Sequence, residues 1–356
     1  MKHLPFVSIL VATFNDELTI TLVLESIRKS ILHYEANGGK AEIVIINDGS
    51  SDSTEATISS WMQGGKFPYV HYIYQSNQGV TKALRNGFQR TNENSKFIIR
   101  IDADAFLLQE NWIYKLVEFC ETDEAIGGVG VTVVNPLGKI EMQGINFFDD
   151  KDKSIIQFLK SGEYFIDETL SSTPIEVDAF LGTCALIRKE NWKIDEYYRL
   201  WTEDVDQAMM IRLQGKKNFI LPEIILFHLS YGFGRNKRDV GTDPELLHSR
   251  TNLLRISVSS FFMAIIGQKK WTWITDVFKH LNIIKPNPIR TKTATLHENN
   301  IYFFSKWGFG ENDGDLQSVK ERYRGTELCW RWDKKCQRLT KKILATYAAR
   351  MTRKRR

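Results

Sequence analysis

The sequence predicts an α/β fold in which a mixed, mostly parallel β-sheet is flanked by helices. Short apolar runs alternate with segments of helical periodicity over roughly the first hundred residues, which is the pattern of repeated strand–helix units. The runs are continuously apolar, as expected where helices cover both faces of a sheet. Polar or glycine-containing turn residues follow each run.

The elements of the first hundred residues follow from this alternation. Ile20, Leu24, Ile27 and Ile31 recur at helical spacing and predict a helix with one apolar face. The predicted elements are a strand at 6–13, a helix at 17–31, strands at 42–46 and 70–74, a helix at 80–89 and a strand at 97–101.

The later elements are less regular. A helix is expected from Thr202 to Leu213, with Thr202 as its N-cap and Gly215 as its end. We also predict strands at 129–134, 177–187 and 220–227, a polar flap or insertion at 138–175, a mobile loop at 232–241 and helices within 246–283.

The charge of the chain is unevenly distributed. Ten Lys or Arg residues and no acidic residue lie between 334 and 356, so the remaining residues carry a net −5 although the whole chain carries +5. Such a tail suits contact with an anionic membrane surface, and it equally suits a solvated tail. It has one aromatic residue, Tyr347, and matches no nucleic-acid module, so no specific nucleic acid is expected.

Cysteine usage and hydropathy predict a cytoplasmic protein. The four cysteines are too few and too scattered for a disulfide framework, and we interpret them as reduced thiols. The first strand begins too close to Met1 for a signal peptide. The longest apolar stretch, at 258–266, is shorter than the roughly 20 residues that a spanning helix needs.

Polar motifs follow the predicted strands at the edge where α/β sheets bind ligands. Asp102 and Asp104 come directly after an apolar strand. Alternate side chains of a strand point the same way, so both carboxylates are expected at one site. Oxygen ligands of this kind suit Mg²⁺ or Mn²⁺.

The order and spacing of these motifs resemble the inverting glycosyltransferases of family 2, nucleotide-sugar-dependent enzymes with a GT-A fold. The resemblance covers roughly residues 5–230. In chain order the motifs are Val7–Asn15, Val44–Asp52, Asn77–Gly79, Ile101–Asp104, Phe180–Cys184 and Thr202–Asp204.

The resemblance implies a division of the chain. Residues 1–230 would form the GT-A catalytic domain, with a nucleotide-binding half at about 1–110 and an acceptor-binding half at 111–230. Residues 231–333 would form a helical C-terminal extension and 334–356 the basic tail.

The resemblance also implies roles for the acidic residues. Asp104 would bind a divalent cation, Mn²⁺ or Mg²⁺, while Asp102 contacts the ribose or a metal-bound water. His228 would add an imidazole ligand, although a structural histidine remains an alternative. Asp204 would be the catalytic base, with Glu203 orienting the acceptor or holding the loop. The other carboxylates considered for the base are Asp178, Asp195 and Glu196.

Binding of the nucleoside is expected at the ends of the first two strands. Ala12 and Thr13 would meet a base edge, and Asp48 would accept from a uracil or thymine N–H or from the ribose. Glu17 would add a ribose contact. Arg85 would approach the diphosphate or the nucleobase, although a solvated helix face is an equal alternative.

These features predict a metal-dependent transfer of one sugar from a nucleotide sugar, with UDP or dTDP favoured, to a glycan or lipid-linked acceptor of a cell-surface polysaccharide. The first carboxylate of the family's Asp-Asp-Gly-Ser is Asn47 here, and the Gln-x-x-Arg-Trp of processive synthases is missing. The alternatives are a nucleotidyltransferase-like protein and a non-catalytic nucleotide-binding protein anchored by the basic tail. The acidic, glycine-free sequence that follows the first strand disfavours the nucleotidyltransferase.

Overall fold

A computed structural model describes most of residues 4–229. The described residues are 4–64, 69–134, 140–147, 156–158, 172–198 and 202–229, together with 299, 303, 306 and 307. Four positions of the predicted helical extension are therefore described. The basic tail, the loop at 232–241, the helices predicted within 246–283 and most of 138–175 lie outside the described residues.

Strands and helices alternate in the described chain as the sequence predicts. The strands are β1 (Phe6–Thr13), β2 (Lys40–Asn47), β3 (Val70–Tyr74), β4 (Ser95–Asp102), β5 (Ala105–Leu107), β6 (Ile126–Val134), β7 (Ile140–Met142), β8 (Ile145–Phe147), β9 (Ile156–Phe158), β10 (Ile175–Val177), β11 (Cys184–Arg188) and β12 (Lys217–His228). The helices are α1 (Ile20–Ala36), α2 (Thr54–Gln63), α3 (Val80–Phe88), α4 (Trp112–Cys120) and α5 (Glu203–Leu213).

Ten of the described strands form one mixed sheet in the order β10-β12-β6-β11-β4-β1-β2-β3, with β5 beside β12 and β7 beside β6. Neighbouring strands from β4 to β3 are parallel, as are β6 and β12. Strand β11 runs antiparallel between β4 and β6, while β8 and β9 pair separately. The predicted α/β architecture with a mostly parallel sheet is confirmed.

The sheet is covered on both faces because successive side chains of a strand point to opposite sides. In β1, Ile9 belongs to the core cluster that contains α1, α2 and α4. The next residue, Leu10, belongs to the cluster that contains α3 and α5. Both are fully buried, and each such burial stabilises the fold by about 1.5–3 kcal/mol. The continuous apolar runs of the sequence therefore reflect a three-layer structure.

The strand predicted at 177–187 is wrong in detail, because β10 and β11 replace it. The intervening residues leave the sheet, where the backbone N–H of Ala179 donates to the carbonyl of Ile145 and that of Gly182 donates to the carboxylate of Asp204. These partners are distant in sequence, so an apolar pattern alone does not reveal the break.

Thr202 lies at the N-cap position of α5, as the sequence predicts, but it does not cap the helix with its side chain. Thr202 has a φ of 69° and its side chain makes no capping hydrogen bond. A residue that caps a helix with its side chain usually has an extended backbone. Thr202 has a left-handed backbone instead, so its side chain is not in the capping geometry. The first turn of α5 contains Glu203, Asp204 and Asp206 instead.

None of the helices within the described residues combines the length and apolarity needed to cross a bilayer.

Candidate active site

Two carboxylates and an imidazole meet at the carboxyl edge of the sheet. Strand β4 ends at Asp102, the chain turns through Asp104, and β5 then pairs antiparallel with β12 so that Ala105 lies opposite His228. The backbone N–H of Leu229 donates to the carbonyl of Asp104 at 2.9 Å. One ligand atom from each of Asp102, Asp104 and His228 lies within 4.8 Å of the others.

The two carboxylates come together through a turn, whereas the sequence argument placed both on a continuing strand. Strand β4 ends at Asp102, and Asp104 lies in the turn before β5. The pairing of β5 with the end of β12 therefore brings Asp104 to His228. This contact between distant segments could not be deduced from the spacing of the two aspartates.

Glu141 completes the surroundings of His228. Its Oε2 lies 2.9 Å from Nδ1 of His228, whose Nε2 lies 3.6 Å from Oδ1 of Asp104. Burial lowers the pKa of His228, but the nearby carboxylates of Asp104 and Glu141 outweigh it and raise the pKa to about 9. Sequence reasoning missed Glu141, which lies in the polar segment interpreted as a flap.

This set of groups fits a divalent cation. Carboxylate oxygens with one imidazole are suitable ligands for Mn²⁺ or Mg²⁺. Asp104 is 1% exposed, and a carboxylate so deeply buried in a cluster of like groups needs positive charge nearby. A carboxylate on the second nitrogen of a metal-binding histidine is a common way to fix its orientation.

Asp204 is connected to this cluster through the loop before β11. Its Oδ2 accepts a hydrogen bond of 2.7 Å from the backbone N–H of Gly182, and its Oδ1 accepts one of 2.8 Å from Val205. The carbonyl of Thr183, the residue after Gly182, accepts a hydrogen bond of 3.0 Å from the backbone N–H of Asp102. Residues 182–183 therefore connect the start of α5 to the end of β4.

Glu203 faces the interior beneath Asp204. Its Oε1 lies 3.0 Å from Nη2 of Arg100, which is 2% exposed on β4. Burial and the charge of Asp204 raise the pKa of Glu203 to about 7, against the opposing effect of Arg100. Arg100 also donates to Gln207 at 3.2 Å. Sequence reasoning missed Arg100 because its position inside an apolar strand gave no sign of a partner.

The three alternative bases are each paired with a cation. Lys306 contacts Asp195 at 2.7 Å, and Arg85 contacts Glu196 at 2.5 Å. Asp178 lies 3.9 Å from Arg212. Asp204, by contrast, accepts from two backbone N–H groups at the start of a helix, where the helix dipole favours a carboxylate.

The residues expected at the nucleoside lie at the same edge. Ala12 is half-buried and paired with Asp102 in the ladder, so the ends of β1 and β4 are adjacent. Thr13 donates to Asp16 at 3.0 Å. Glu17 accepts from the backbone N–H of Ser53 at 2.9 Å, which ties the loop after β1 to the loop after β2.

Asp48 organises the loop before α3. Its carboxylate accepts from the backbone N–H groups of Gln78 and Gly79, both at 2.8 Å, and from the side chain of Gln75 at 2.7 Å. A carboxylate can accept about four hydrogen bonds, and three of these are used within the protein. The contact of Asp48 with the nucleoside stays a prediction. Arg85 is half-exposed and directed to Glu196 on the loop before α5.

Comparison with known proteins identifies relatives that share about a third of this chain. The chain is 31% identical to the poly-beta-1,6-N-acetyl-D-glucosamine synthase of Staphylococcus aureus (strain COL) over 129 residues, 36% of this chain and 29% of the synthase. It is 29% identical to the probable glycosyltransferase YdaM of Bacillus subtilis (strain 168) over 133 residues, 36% of this chain and 30% of YdaM. The chain thus matches less than a third of the length of these relatives.

The structure of GalNAc-T7 with UDP, GalNAc and Mn²⁺ has a similar fold. The superposition covers 91% of this chain and 55% of GalNAc-T7, with a TM-score of 0.52 and 16% sequence identity. At this identity the similarity describes the fold alone, which is the GT-A arrangement of a mostly parallel sheet between helices.

Fold and site together define an α/β protein with two carboxylates and an imidazole at the carboxyl edge of its sheet. The sequence model of glycosyl transferase family 2 matches residues 8–195, more than half of the chain. The chain belongs to this family.

Proposed function

We propose that the protein transfers one sugar from a nucleoside-diphosphate sugar to a hydroxyl group of a glycan or lipid-linked acceptor, with inversion at the anomeric carbon. The observation that carries the proposal is the cluster of Asp102, Asp104 and His228 within 4.8 Å, joined through residues 182–183 to Asp204. One group of side chains suits a cation and diphosphate, and the adjacent carboxylate suits a proton acceptor.

Asp104 and His228 would hold a divalent cation, with Asp102 contacting the ribose or a water on the cation. When bound, Mn²⁺ or Mg²⁺ supplies positive charge that stabilises the leaving diphosphate. Glu141 supports this role, because its 2.9 Å contact with Nδ1 of His228 leaves Nε2 directed towards Asp104.

Asp204 would act as the base. Its carboxylate takes the proton of the acceptor hydroxyl while the hydroxyl oxygen forms a bond to the anomeric carbon and the bond to the diphosphate oxygen breaks. A single displacement of this kind inverts the configuration. Glu203 would hold Asp204 in place through Arg100, an assignment supported by the 3.0 Å contact between Glu203 and Arg100.

We assign the nucleoside to Ala12, Thr13, Glu17 and Asp48, because all four lie at the carboxyl edge of the parallel strands. Ala12 and Thr13 end β1, whereas Glu17 and Asp48 lie on the loops that follow β1 and β2. Arg85 would approach the diphosphate or the nucleobase, and its ion pair with Glu196 would hold its side chain in place. We favour a uridine or thymidine diphosphate sugar. The curated S. aureus relative synthesises a polysaccharide according to its name, and we extend polysaccharide synthesis to this chain as part of the proposal.

We retain the division into a catalytic region at 1–230, a helical extension at 231–333 and a basic tail at 334–356 as a proposal. The tail would hold the enzyme close to an anionic membrane in the cytoplasm. Removal of residues 334–356 should then leave sugar transfer intact and weaken binding to vesicles that contain anionic lipid. Loss of nucleotide binding in the truncated chain would instead favour a binding protein that works through its tail.

Asp204→Asn and Asp104→Asn test the two halves of the site. Asp204→Asn should lower turnover by about 10²–10⁴-fold while nucleotide binding persists. UDP, TDP and GDP are tested by thermal denaturation with and without Mn²⁺, since a ligand at about 100 times its Kd stabilises a protein by about 2.7 kcal/mol. Asp104→Asn should lose the Mn²⁺-dependent part of this stabilisation.

Asp123→Asn is the matched control, because Asp123 is exposed on the turn before β6. It should behave as the wild type in both assays. Equal nucleotide binding with and without Mn²⁺ in the wild type would contradict the metal assignment, and full turnover by Asp204→Asn would contradict the base.

A further inference from the structure

A lysine from the C-terminal part of the chain is buried against α5. The side chain of Lys306 is 5% exposed, and its Nζ lies 2.7 Å from Oδ2 of Asp195 and 2.7 Å from Oδ2 of Asp206. Asp206 is fully buried. Removal of one partner from a buried ion pair strongly destabilises a protein, because the other charge is left buried without compensation. The contact therefore fixes Lys306 against the first turn of α5.

Asp206 accepts further hydrogen bonds from two aromatic side chains. The indole Nε1 of Trp307 donates to its Oδ1 at 2.9 Å, and the hydroxyl of Tyr198 donates to the same oxygen at 3.2 Å. Three donors thus surround one carboxylate in the first turn of α5, two from residues 306–307 and one from the nearby Tyr198. The arrangement fixes this turn in position and in rotation about the helix axis.

The described positions 299, 303, 306 and 307 are called the C-terminal segment here. Three of its side chains are buried at intervals of four residues. Asn299, Phe303 and Trp307 are 4%, 2% and 8% exposed. Phe303 and Trp307 belong to the same core cluster as Ala208 and Met209 of α5. The spacing of four is that of one helix face, and that face packs where α5 covers the sheet.

The loop that leads into α5 is held from the same side. Lys306 contacts Asp195, Arg85 contacts Glu196, and the hydroxyl of Thr81 donates to the carbonyl of Tyr198. Asp204 lies two residues before Asp206, about 200° around the helix axis at 3.6 residues per turn. The C-terminal segment therefore contacts the face of α5 opposite to Asp204.

We propose that Lys306 and Trp307 are positioning residues, which fix the first turn of α5 and thereby the direction of the Asp204 carboxylate in the transfer reaction. The inference rests on the proposed role of Asp204 as the base. It extends the catalytic unit past residue 230 and past the region that the family model matches, which ends at residue 195.

Lys306→Met in the full-length chain removes the charge and keeps most of the side-chain volume. We expect kcat to fall by at least about tenfold, since a small misplacement of a reacting group is costly. Binding of UDP, TDP or GDP in the presence of Mn²⁺, whichever the wild type binds, should stay unchanged. The kcat is expressed per nucleotide-binding site, so that an unfolded fraction does not lower it.

Lys306→Arg and Trp307→Phe refine the test. Arginine keeps a cation between Asp195 and Asp206 and should recover part of the lost turnover. Trp307→Phe removes one hydrogen bond to Asp206 and should have a smaller effect than Lys306→Met. Lys115→Met is the matched control, because Lys115 also forms a 2.9 Å ion pair, with Glu223, away from α5. Turnover by this control should equal that of the wild type.

Amide hydrogen exchange gives a readout that does not depend on catalysis. Lys306→Met should accelerate exchange in the first turn of α5 and at 195–198, while β1 and β4 exchange as in the wild type. Unchanged exchange together with unchanged kcat per binding site would overturn the proposal. A fall in total turnover that matches the loss of nucleotide-binding sites, with kcat per site unchanged, would also overturn it, because the effect would then be global unfolding.

If Asp204→Asn keeps full turnover while Lys306→Met still accelerates exchange in α5, the proposed base is wrong and the structural contact between the C-terminal segment and α5 stands. The two failures are therefore distinguishable.

Discussion

Glu141 illustrates how one side chain outside every sequence motif can determine the chemistry of a site. Its carboxylate holds Nδ1 of His228 at 2.9 Å, so the other ring nitrogen is directed to Asp104. The role depends on strand β7 pairing with β6 and on β12 carrying His228 to the same edge. Neither pairing follows from the local sequence of Glu141.

Glu141→Gln should weaken Mn²⁺ binding by about 10–100-fold, the usual cost of removing the carboxylate behind a metal-binding histidine. The reason is that the amide holds the imidazole less firmly and lowers its basicity. Calorimetric titration with Mn²⁺ measures the change directly, without turnover. Glu124→Gln, at an exposed glutamate, serves as the control, and equal affinity in Glu141→Gln and wild type would contradict the role.

Glu203 should give the protein a distinctive pH dependence of stability. Its pKa rises from 4.5 to about 7 on folding, because burial and Asp204 disfavour the charged form more than Arg100 favours it. The stabilising contribution of the protonated group is therefore full below pH about 4.5 and is lost as the pH rises through about 7.

Urea unfolding of wild type and Glu203→Gln at pH about 5 and pH about 7.5 checks this dependence. The free energy of unfolding of the wild type should fall relative to the variant by up to about 3 kcal/mol across this range. A constant difference between the two proteins at both pH values would show that the pKa of Glu203 is close to its ordinary value.

At the scale of elements, Gly182 joins three parts of the site. A Cβ atom at this position would lie 2.4 Å from Cζ of Arg100 and 2.6 Å from Cβ of Asp204. The absence of a side chain thus allows the loop before β11 to pack directly between β4 and α5. The structure therefore identifies Arg100 and Asp204 as the side chains that approach this glycine.

Gly182→Ala should lower the free energy of unfolding by about 1–3 kcal/mol, the usual cost of overpacking, and should lower turnover by displacing Asp204. Chemical denaturation and a turnover assay on the same samples measure both effects. Gly64→Ala is the control, since Gly64 is exposed with a φ of −62° that alanine adopts readily. Wild-type turnover by Gly182→Ala would show that the loop can move without disturbing the base.

The alternation of β1, α1, β2, β3, α3 and β4 could be predicted because each element is marked by its own residues. The helical spacing of four apolar residues predicts the buried face of α1. These residues, Ile20, Leu24, Ile27 and Ile31, are all fully buried. Strand β5 and helix α4 were not predicted. Strand β5 has three residues and exists through its pairing with β12, which no local periodicity can signal.

The candidate site divides in the same way. Asp102 and Asp104 could be singled out because they form an acidic pair after an apolar run, and Glu203 and Asp204 because they form an acidic pair at the start of a predicted helix. Their partners Arg100, Glu141 and Lys306 could not, because each acts across a large separation in sequence. The roles assigned from the resemblance remain predictions that the variants above test.

At the scale of the whole molecule, the two described cysteines report on global unfolding. Cys120 and Cys184 are free thiols that are at most 1% exposed. Burial raises the pKa of Cys120 to about 12 and raises that of Cys184, where Asp102 adds to the effect. Both the access of a reagent and the population of thiolate are therefore suppressed in the folded state.

In a chain with Cys329→Ser and Cys336→Ser, labelling of the remaining thiols should be slow and should accelerate with urea in step with unfolding. These two substituted positions lie outside the described residues. Mass spectrometry of the labelled protein measures the rate at each thiol. Rapid labelling that does not respond to urea would reveal local opening of β11 or α4.

The antiparallel course of β11 has a consequence for how accurately the site is built. Ile101 of β4 lies opposite Cys184 of β11, and Asp102 lies opposite Ala12 of β1. The register of the strands thus fixes positions in steps of one residue. Each step is about 3.3 Å along the strand and moves the side chain to the opposite face of the sheet. A shift of one residue in this pairing would break the hydrogen bond from the backbone N–H of Asp102 to the carbonyl of Thr183. Main-chain hydrogen bonds therefore set the distance between the cation-binding and the proton-accepting groups.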